Sequence, residues 1–265
     1  MKIQIFQGGL GNQLFEYAFY KYNKKKNPKL KYIFLEGNSH NGFELTKWFN
    51  AELEPASLLW QIIFRFLYWC RYHNINLFNC ISTEKDYPIQ NKTFIMGYWQ
   101  DKRYLTSDFI KFRNLTLSDK NKKILNEILS TNSVALHVRR GDYLLPQYKT
   151  IYGNICTTEY YEKAIHIIKR EISNPTFYIF SDDIDWVKNN LPLEDACYID
   201  WNTGNQSIYD MYLMTNAKAH IIANSTFSYW GAMLSKSSQI TIYPRKWFNS
   251  KFAAPNIFPQ NWVGI

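Results

Sequence analysis

What most constrains this chain is the alternation of short apolar runs with helical segments from residue 134 onward. Strand candidates at 134–138, 176–180, 197–199, 220–223 and 239–243 are separated by helix candidates at 158–170, 184–190, 207–216 and 228–234. Glu159 and Glu162 open the first of these helices and Lys169 and Arg170 close it, as the helix macrodipole prefers. Ser207 followed by Asp210 resembles a capping box. Strands and helices taking turns this regularly imply a mostly parallel sheet covered on both faces. Ligands of such sheets bind beyond the carboxyl ends of the strands, so residues just after each strand carry the functional weight.

The first half opens in the same style. A strand at 2–6 runs into the turn Gly8-Gly9-Leu10-Gly11, and a helix follows at 12–22. A basic run (Lys24, Lys25, Lys26, Lys29, Lys31) then leads to a strand at 32–35. The stretch 38–86 is expected to be helical, and a strand is expected at 93–98. A boundary near 130–133 divides the 265 residues into lobes at 1–130 and 131–265.

Hydrophobic residues make up 46% and charged residues 20%, which excludes a disordered chain. The formal charge of +9 favours an anionic partner: a nucleotide diphosphate, a nucleic acid or an acidic membrane surface. Four scattered cysteines (Cys70, Cys80, Cys156, Cys197) form no C-x-x-C pair, so a reducing compartment is expected. The N-terminus reaches glycines too early for a secretory signal. The apolar stretch 58–70 is shorter than the ~20 residues of a spanning helix. Gln61 and Arg65 interrupt it, and the expected core face is Leu59, Ile62, Ile63, Phe66 and Trp69. An interfacial helix on an anionic membrane is the alternative.

Three strand ends carry chemistry. After 134–138 come Arg139 and Arg140, whose guanidinium forks match phosphate oxygens; an ion pair with a nearby carboxylate is the competing role. The embedded Arg140-Gly141-Asp142 is a chance match to an adhesion tripeptide. After 176–180 comes Ser181-Asp182-Asp183-Ile184-Asp185. Its D-x-D is the pattern of many metal-dependent glycosyltransferases, but Asp183 and Asp185 open a helix, and capping explains them better. Asp182 is left to accept from a base or ribose. After 220–223 comes Asn224-Ser225-Thr226-Phe227-Ser228, hydroxyls and free N–H groups at a helix start, an anion site that needs no metal.

Four blocks then carry a resemblance: G-G-L-G-N-Q at 8–13, G-Y-W-Q at 97–100, H-V-R-R-G-D-Y at 137–143 and N-S-T-F-S-Y-W-G-A at 224–232. Together they resemble the bacterial α-1,2-fucosyltransferases, and more distantly the α-1,6- and protein O-fucosyltransferases. The resemblance implies an α/β, GT-B-like fold, two Rossmann-like lobes with a cleft between them. The first would be the acceptor-side lobe and the second the GDP-fucose-binding lobe. It implies inverting transfer of L-fucose from GDP-fucose to the 2-hydroxyl of a terminal galactose in a bacterial surface glycan, with no metal and no other cofactor. By position, Arg139 would hold the departing β-phosphate, with His137, Arg140, Gly11, Asp182, Asn224, Ser225, Thr226 and Phe227 on the donor. Asn12 would lie near the transferred sugar, and Gln13, Trp99 and Gln100 near the acceptor. Glu16 stands where the family commonly has glutamine, and Tyr229 where it commonly has tryptophan.

Inversion calls for a base near the acceptor hydroxyl. Asp142 is one reading; the others are that it only holds the arginine fork in shape, or that the leaving phosphate takes the proton. Outside this reading stand a fucosyltransferase of different linkage, a non-catalytic carbohydrate-binding module, and a basic, aromatic-rich nucleic-acid binder. No recognition-helix, RNP or zinc-finger pattern supports the last, so nucleic acid is not expected as a partner. The expected location is the cytoplasm, with room for peripheral contact at the inner face of the plasma membrane.

Overall fold

The computed structural model describes residues 1–37, 41–75, 80–84, 92–106, 110–191, 193–194, 196–249 and 254–265. Two units divide the chain, Met1–Leu115 and Thr116–Ile265. Each is an α/β unit, and every strand pairing within the two sheets is parallel.

The first unit runs β1 (Ile3–Gln7), α1 (Leu10–Lys24), β2 (Lys31–Leu35), α2 (Leu45–Trp48), α3 (Leu58–Tyr72), β3 (Ile81–Ser82) and β4 (Phe94–Met96). Its sheet has the order β2-β1-β4-β3. The period of two along β1 sorts its side chains. Ile3 and Ile5 join a core with Ile33, Phe64 and Phe94. Phe6 meets Tyr20 of α1, and Gln4 donates through Nε2 to the Glu16 carbonyl of the same helix.

One expectation is reversed here. Leu59, Ile62, Phe66 and Trp69 of α3 are exposed, while Trp60, Ile63, Phe64, Leu67 and Tyr68 pack against the sheet. The helix is apolar on both sides, so periodicity alone does not say which side meets the sheet; Arg65 is on the exposed side and only Ile63 of the expected face packs inward. Gln61 folds back to donate to the Ala56 carbonyl. Residues 38–40, 76–79 and 85–86 of the expected helical stretch lie outside the described residues.

The second unit runs α4 (Asp119–Ser130), β5 (Asn132–Val138), α5 (Pro146–Tyr152), α6 (Thr158–Glu171), β6 (Pro175–Ser181), α7 (Ile184–Asn190), β7 (Cys197–Ile199), α8 (Ser207–Thr215), β8 (Ala219–Ile221), α9 (Thr226–Met233), β9 (Ile240–Tyr243) and β10 (Val263–Gly264). The sheet order is β10-β9-β8-β5-β6-β7. The chain starts in the middle at β5, builds outward to β7, then crosses back to β8 and builds outward the other way. That is the Rossmann order, and its switch point lies between β5 and β8.

Val134, Leu136 and Val138 of β5 face a core shared with α6 and α7. On the other side Ala135 meets Ile124 and Ile128 of α4 and Leu213 of α8. The division of the chain therefore falls before α4, at 115/116, rather than near 130–133. Ser118 caps α4 by accepting from the Asn121 N–H, and Ile124 and Ile128 share its buried face. The Ser207–Asp210 capping box does not form. A 3-10 turn at Gly204–Gln206 leads straight into α8, Ser207 is already helical, and Asp210 accepts from Asn202 Nδ2 at 2.7 Å.

Candidate functional site

At the switch point of the second unit, β5 and β8 run side by side and end at the same edge. Arg139 is the first residue beyond β5. Its guanidinium lies between two carboxylates, 2.8 Å from Asp142 and 2.9 Å from Asp182. Burial opposes its charge, but Asp182 and Asp142 outweigh burial and raise its pKa above the ordinary arginine value. Asp182 also accepts from the Arg140 backbone N–H at 2.9 Å. Arg140 turns the other way, pairing with Asp183 at 2.9 Å and lying over the Trp186 ring at 4.0 Å. Asp183 meanwhile caps α7 through the Trp186 N–H, the role its sequence position suggests. A Cβ at Gly141 would collide with the Asp182 carboxylate and force it to move.

Two arginines thus face three carboxylates. What this edge offers an anion is a set of fixed donors, not a net positive field. His137, the last inward residue of β5 on that face, is buried, and its Nδ1 has no hydrogen-bond partner. Burial lowers its pKa to about 4, against a raising contribution from Asp182, so the ring is neutral at physiological pH. It lies 5.8 Å from the Phe227 ring in the first turn of α9.

The start of α9 carries no side-chain cap, because the Ser225 hydroxyl makes no cap bond. Its first N–H groups have no partner within the helix and suit an anion. Ser228 is not part of that set: its buried hydroxyl donates to the Ala223 and Ser225 carbonyls. Asn224 is also turned inward. Its Nδ2 donates to the Tyr152 and Trp247 carbonyls, its Oδ1 accepts from Cys156, and its own carbonyl accepts from Tyr143. Asn224 therefore straps the loop after β8 to its neighbours. Of the donor residues read from the sequence, His137, Arg139, Arg140, Asp182, Asn224, Ser225, Thr226 and Phe227 gather at this one edge; Gly11 belongs to the first unit.

In the first unit the corresponding edge is formed by the turns after β1 and β4, which pair side by side. Gly8 has φ +74°, a backbone conformation strained for any side chain, and the Asn12 side chain packs closely on it. Asn12 accepts from Gln100 Nε2 at 3.2 Å, so these two members of the expected set do meet. Gln13 does not reach the surface. It is fully buried, donates to the Gly8 and Gly42 carbonyls and accepts from the Glu44 and Leu45 N–H groups. With its amide saturated, Gln13 is a staple for the turn, not an acceptor contact. Trp99 is also buried, stacked on Phe19 at 3.7 Å with φ +55°. The exposed ring of this turn is Tyr98, which lies against Gly8. Tyr98 belongs to the same G-Y-W-Q block as Trp99. Glu84 accepts from the Trp99 N–H at 2.7 Å and holds that turn.

Beneath these turns Glu16 is buried, and both carboxylate oxygens accept from the Gln7 N–H, at 3.0 and 3.2 Å. Burial pushes its pKa well above the usual carboxylate range; the Gln7 bond works against this and Glu84 adds to it.

The family model of glycosyl transferase family 11 matches residues 6–265, which takes in both edges. The chain belongs to glycosyl transferase family 11. It is 32% identical to an alpha-1,2-colitosyltransferase of Escherichia coli over 97% of this chain and 96% of that one. It is 26% identical to galactoside alpha-(1,2)-fucosyltransferase 2 of Mus musculus, over 97% of this chain and 76% of that one. The O-antigen biosynthesis glycosyltransferase WbnK of Escherichia coli is 35% identical over 54% of this chain, a match that spans 47% of WbnK. The strand-end chemistry of this glycosyltransferase thus coincides with the blocks that carried the resemblance. Among the described residues no group of three or more His, Cys, Asp or Glu is placed to hold a metal ion. Among the same residues no helix is long and apolar enough to cross a membrane.

Proposed function

We propose that the protein transfers L-fucose from GDP-fucose to the 2-hydroxyl of a terminal galactose in a bacterial surface glycan, with inversion and without a metal. The observation that carries this reading is the switch-point edge of the second unit. There the Arg139 fork, the neutral His137 and the uncapped start of α9 meet, as a sugar diphosphate requires. Arg140 and Asp182 complete the donor edge, and Ser225, Thr226 and Phe227 line it. In this reading the bond between fucose C1 and the β-phosphate oxygen breaks while the galactose 2-oxygen attacks C1 from the opposite face. Charge grows on the departing phosphate, and Arg139 stabilises it more in the transition state than in the ground state.

Asp142 is engaged by Arg139 at 2.8 Å, which supports its role in holding the fork rather than taking the acceptor proton. The proton then goes to the departing phosphate, and Asn12, steadied by Gln100, orients the hydroxyl. Independence of metal is supported by the D-x-D pair itself: Asp183 already pairs with Arg140 and caps α7, and Asp185 lies in the first turn of that helix. The relatives divide on the sugar, colitose in one and fucose in another, while their names share the α-1,2 linkage. We place the enzyme in the cytoplasm, where it would work on glycans built at the inner face of the plasma membrane.

The test is transfer from GDP-fucose and GDP-colitose to a panel of β-galactosides, with the linkage of the product determined. An α-1,2-fucosylated product formed in chelator is expected. Turnover of neither donor on any galactoside would refute the reading. In that assay Arg139→Lys should lose roughly 10²–10³-fold in rate, because a point charge cannot reproduce the fork.

A further inference from the structure

The helix α3 is apolar on two opposite sides. One side is consumed by the first sheet, where Trp60, Ile63, Phe64, Leu67 and Tyr68 pack among Ile3, Ile5 and Phe94. The other carries Leu58, Leu59, Ile62, Phe66, Trp69 and Tyr72, which are 53–78% exposed. Their three- and four-residue spacing puts them on a single face. Six such side chains, at about 100 Å² or more apiece, exceed the roughly 300–600 Å² of the largest apolar patch on an ordinary soluble monomer.

The charges carried by the helix itself are all of one sign. The helix contains no Asp or Glu; Arg65 sits within the exposed face and Arg71 in the last turn, both exposed. Just before the helix, Glu54 is neutralised by Lys24 at 2.6 Å and Lys31 at 2.9 Å. The fifteen residues of α3 make a rod about 22 Å long, too short to cross a bilayer. Pairing this face with a second copy would bring arginines together with no acid on the helix to meet them. An anionic lipid surface supplies what the face lacks. Its acyl boundary takes up the leucine, isoleucine and aromatic side chains, and its phosphates meet arginines that snorkel outward.

We infer that the exposed face of α3 is a membrane-docking surface for anionic lipid, lying in the plane of the interface. The experiment is co-sedimentation of the full chain with vesicles of phosphatidylcholine alone or mixed with phosphatidylglycerol. Two double variants serve as probes, Phe66→Ser with Trp69→Ser and Arg65→Gln with Arg71→Gln. The wild type should sediment with the mixed vesicles and roughly tenfold more weakly with neutral ones. The aromatic variant should lose roughly tenfold or more in binding while its melting temperature and its transfer to a soluble acceptor stay unchanged. The arginine variant should lose the preference for anionic lipid. Three results would overturn the inference: no sedimentation of the wild type, equal binding by the aromatic variant, or a wild-type dimer in light scattering that the aromatic variant dissolves. The last would assign the face to a second copy.

Discussion

Asp210 makes the stability of the second unit depend on pH in a direction opposite to that of a salt-bridged acid. Burial pushes its pKa from the ordinary 3.8 up to about 7, with the Asn202 hydrogen bond working against the rise. In the unfolded chain the group ionises near 3.8; in the native protein it ionises only near 7. Between those values the folded state binds more protons, so stability falls as pH rises and levels off above 7. Three pH units at about 1.4 kcal/mol each amount to about 4 kcal/mol of stability present at pH 4 and lost by pH 8. Asp210→Asn keeps the shape and can still accept from Asn202, but it cannot ionise. The variant should match the wild type at pH 4 and exceed it at pH 8, by on the order of 10 °C in Tm for a unit of this size. Thermal unfolding of both proteins followed from pH 4 to pH 9 tests this. A difference that does not change with pH, or a variant less stable at pH 8, would refute the reasoning.

Asp142→Asn should lower GDP affinity and transfer together, because it loosens the Arg139 fork; binding by calorimetry alongside steady-state rates checks this, and a collapse of rate at constant affinity would make Asp142 the base. Gln13→Ala leaves two carbonyls and two N–H groups of the first unit without their buried partner and should cost about 3 kcal/mol in denaturant unfolding. Gly141→Ala should displace Asp182 and reduce nucleotide affinity while leaving the far-UV circular dichroism intact, since its Cβ meets the carboxylate and not the backbone. Tyr98→Ala should raise KM for the acceptor without moving KM for the donor, which competition kinetics with both substrates would show.

The second sheet was legible because each of its strands is a short apolar run and each of its helices is punctuated by charge. Residues 184–190 and 197–199 form the helix and strand expected of them. Helix α4 was missed because its first five residues are polar, although Ser118 and the Ile124–Ile128 spacing announce it. In α3 the apolar period is present in the sequence, but of the expected core face only Ile63 packs against the sheet. Periodicity locates an apolar face but does not tell which of two will meet the sheet. At the candidate site the residue types at the strand ends were readable and their partners were not. Nothing in the sequence says that Arg139 will find an acid 43 residues away in Asp182, or that Gln13 will spend its whole amide on backbone. Such pairings come from strand neighbours in space, which β5 and β6 become only after the sheet has formed.

The ion pairs of Arg139 also bear on how fast the enzyme would turn over. If a diphosphate takes the fork as proposed, it must first displace Asp142 and Asp182, so part of its attraction is spent on parting charges already satisfied. The same carboxylates wait beside the fork when the spent nucleotide is ready to leave. They can close on Arg139 as GDP departs, and the cation is never left bare at the edge of the sheet. Donor affinity would be lower than two arginines suggest and product escape correspondingly easier, an exchange of partners suited to a catalyst that must release an anion more highly charged than the one it captured.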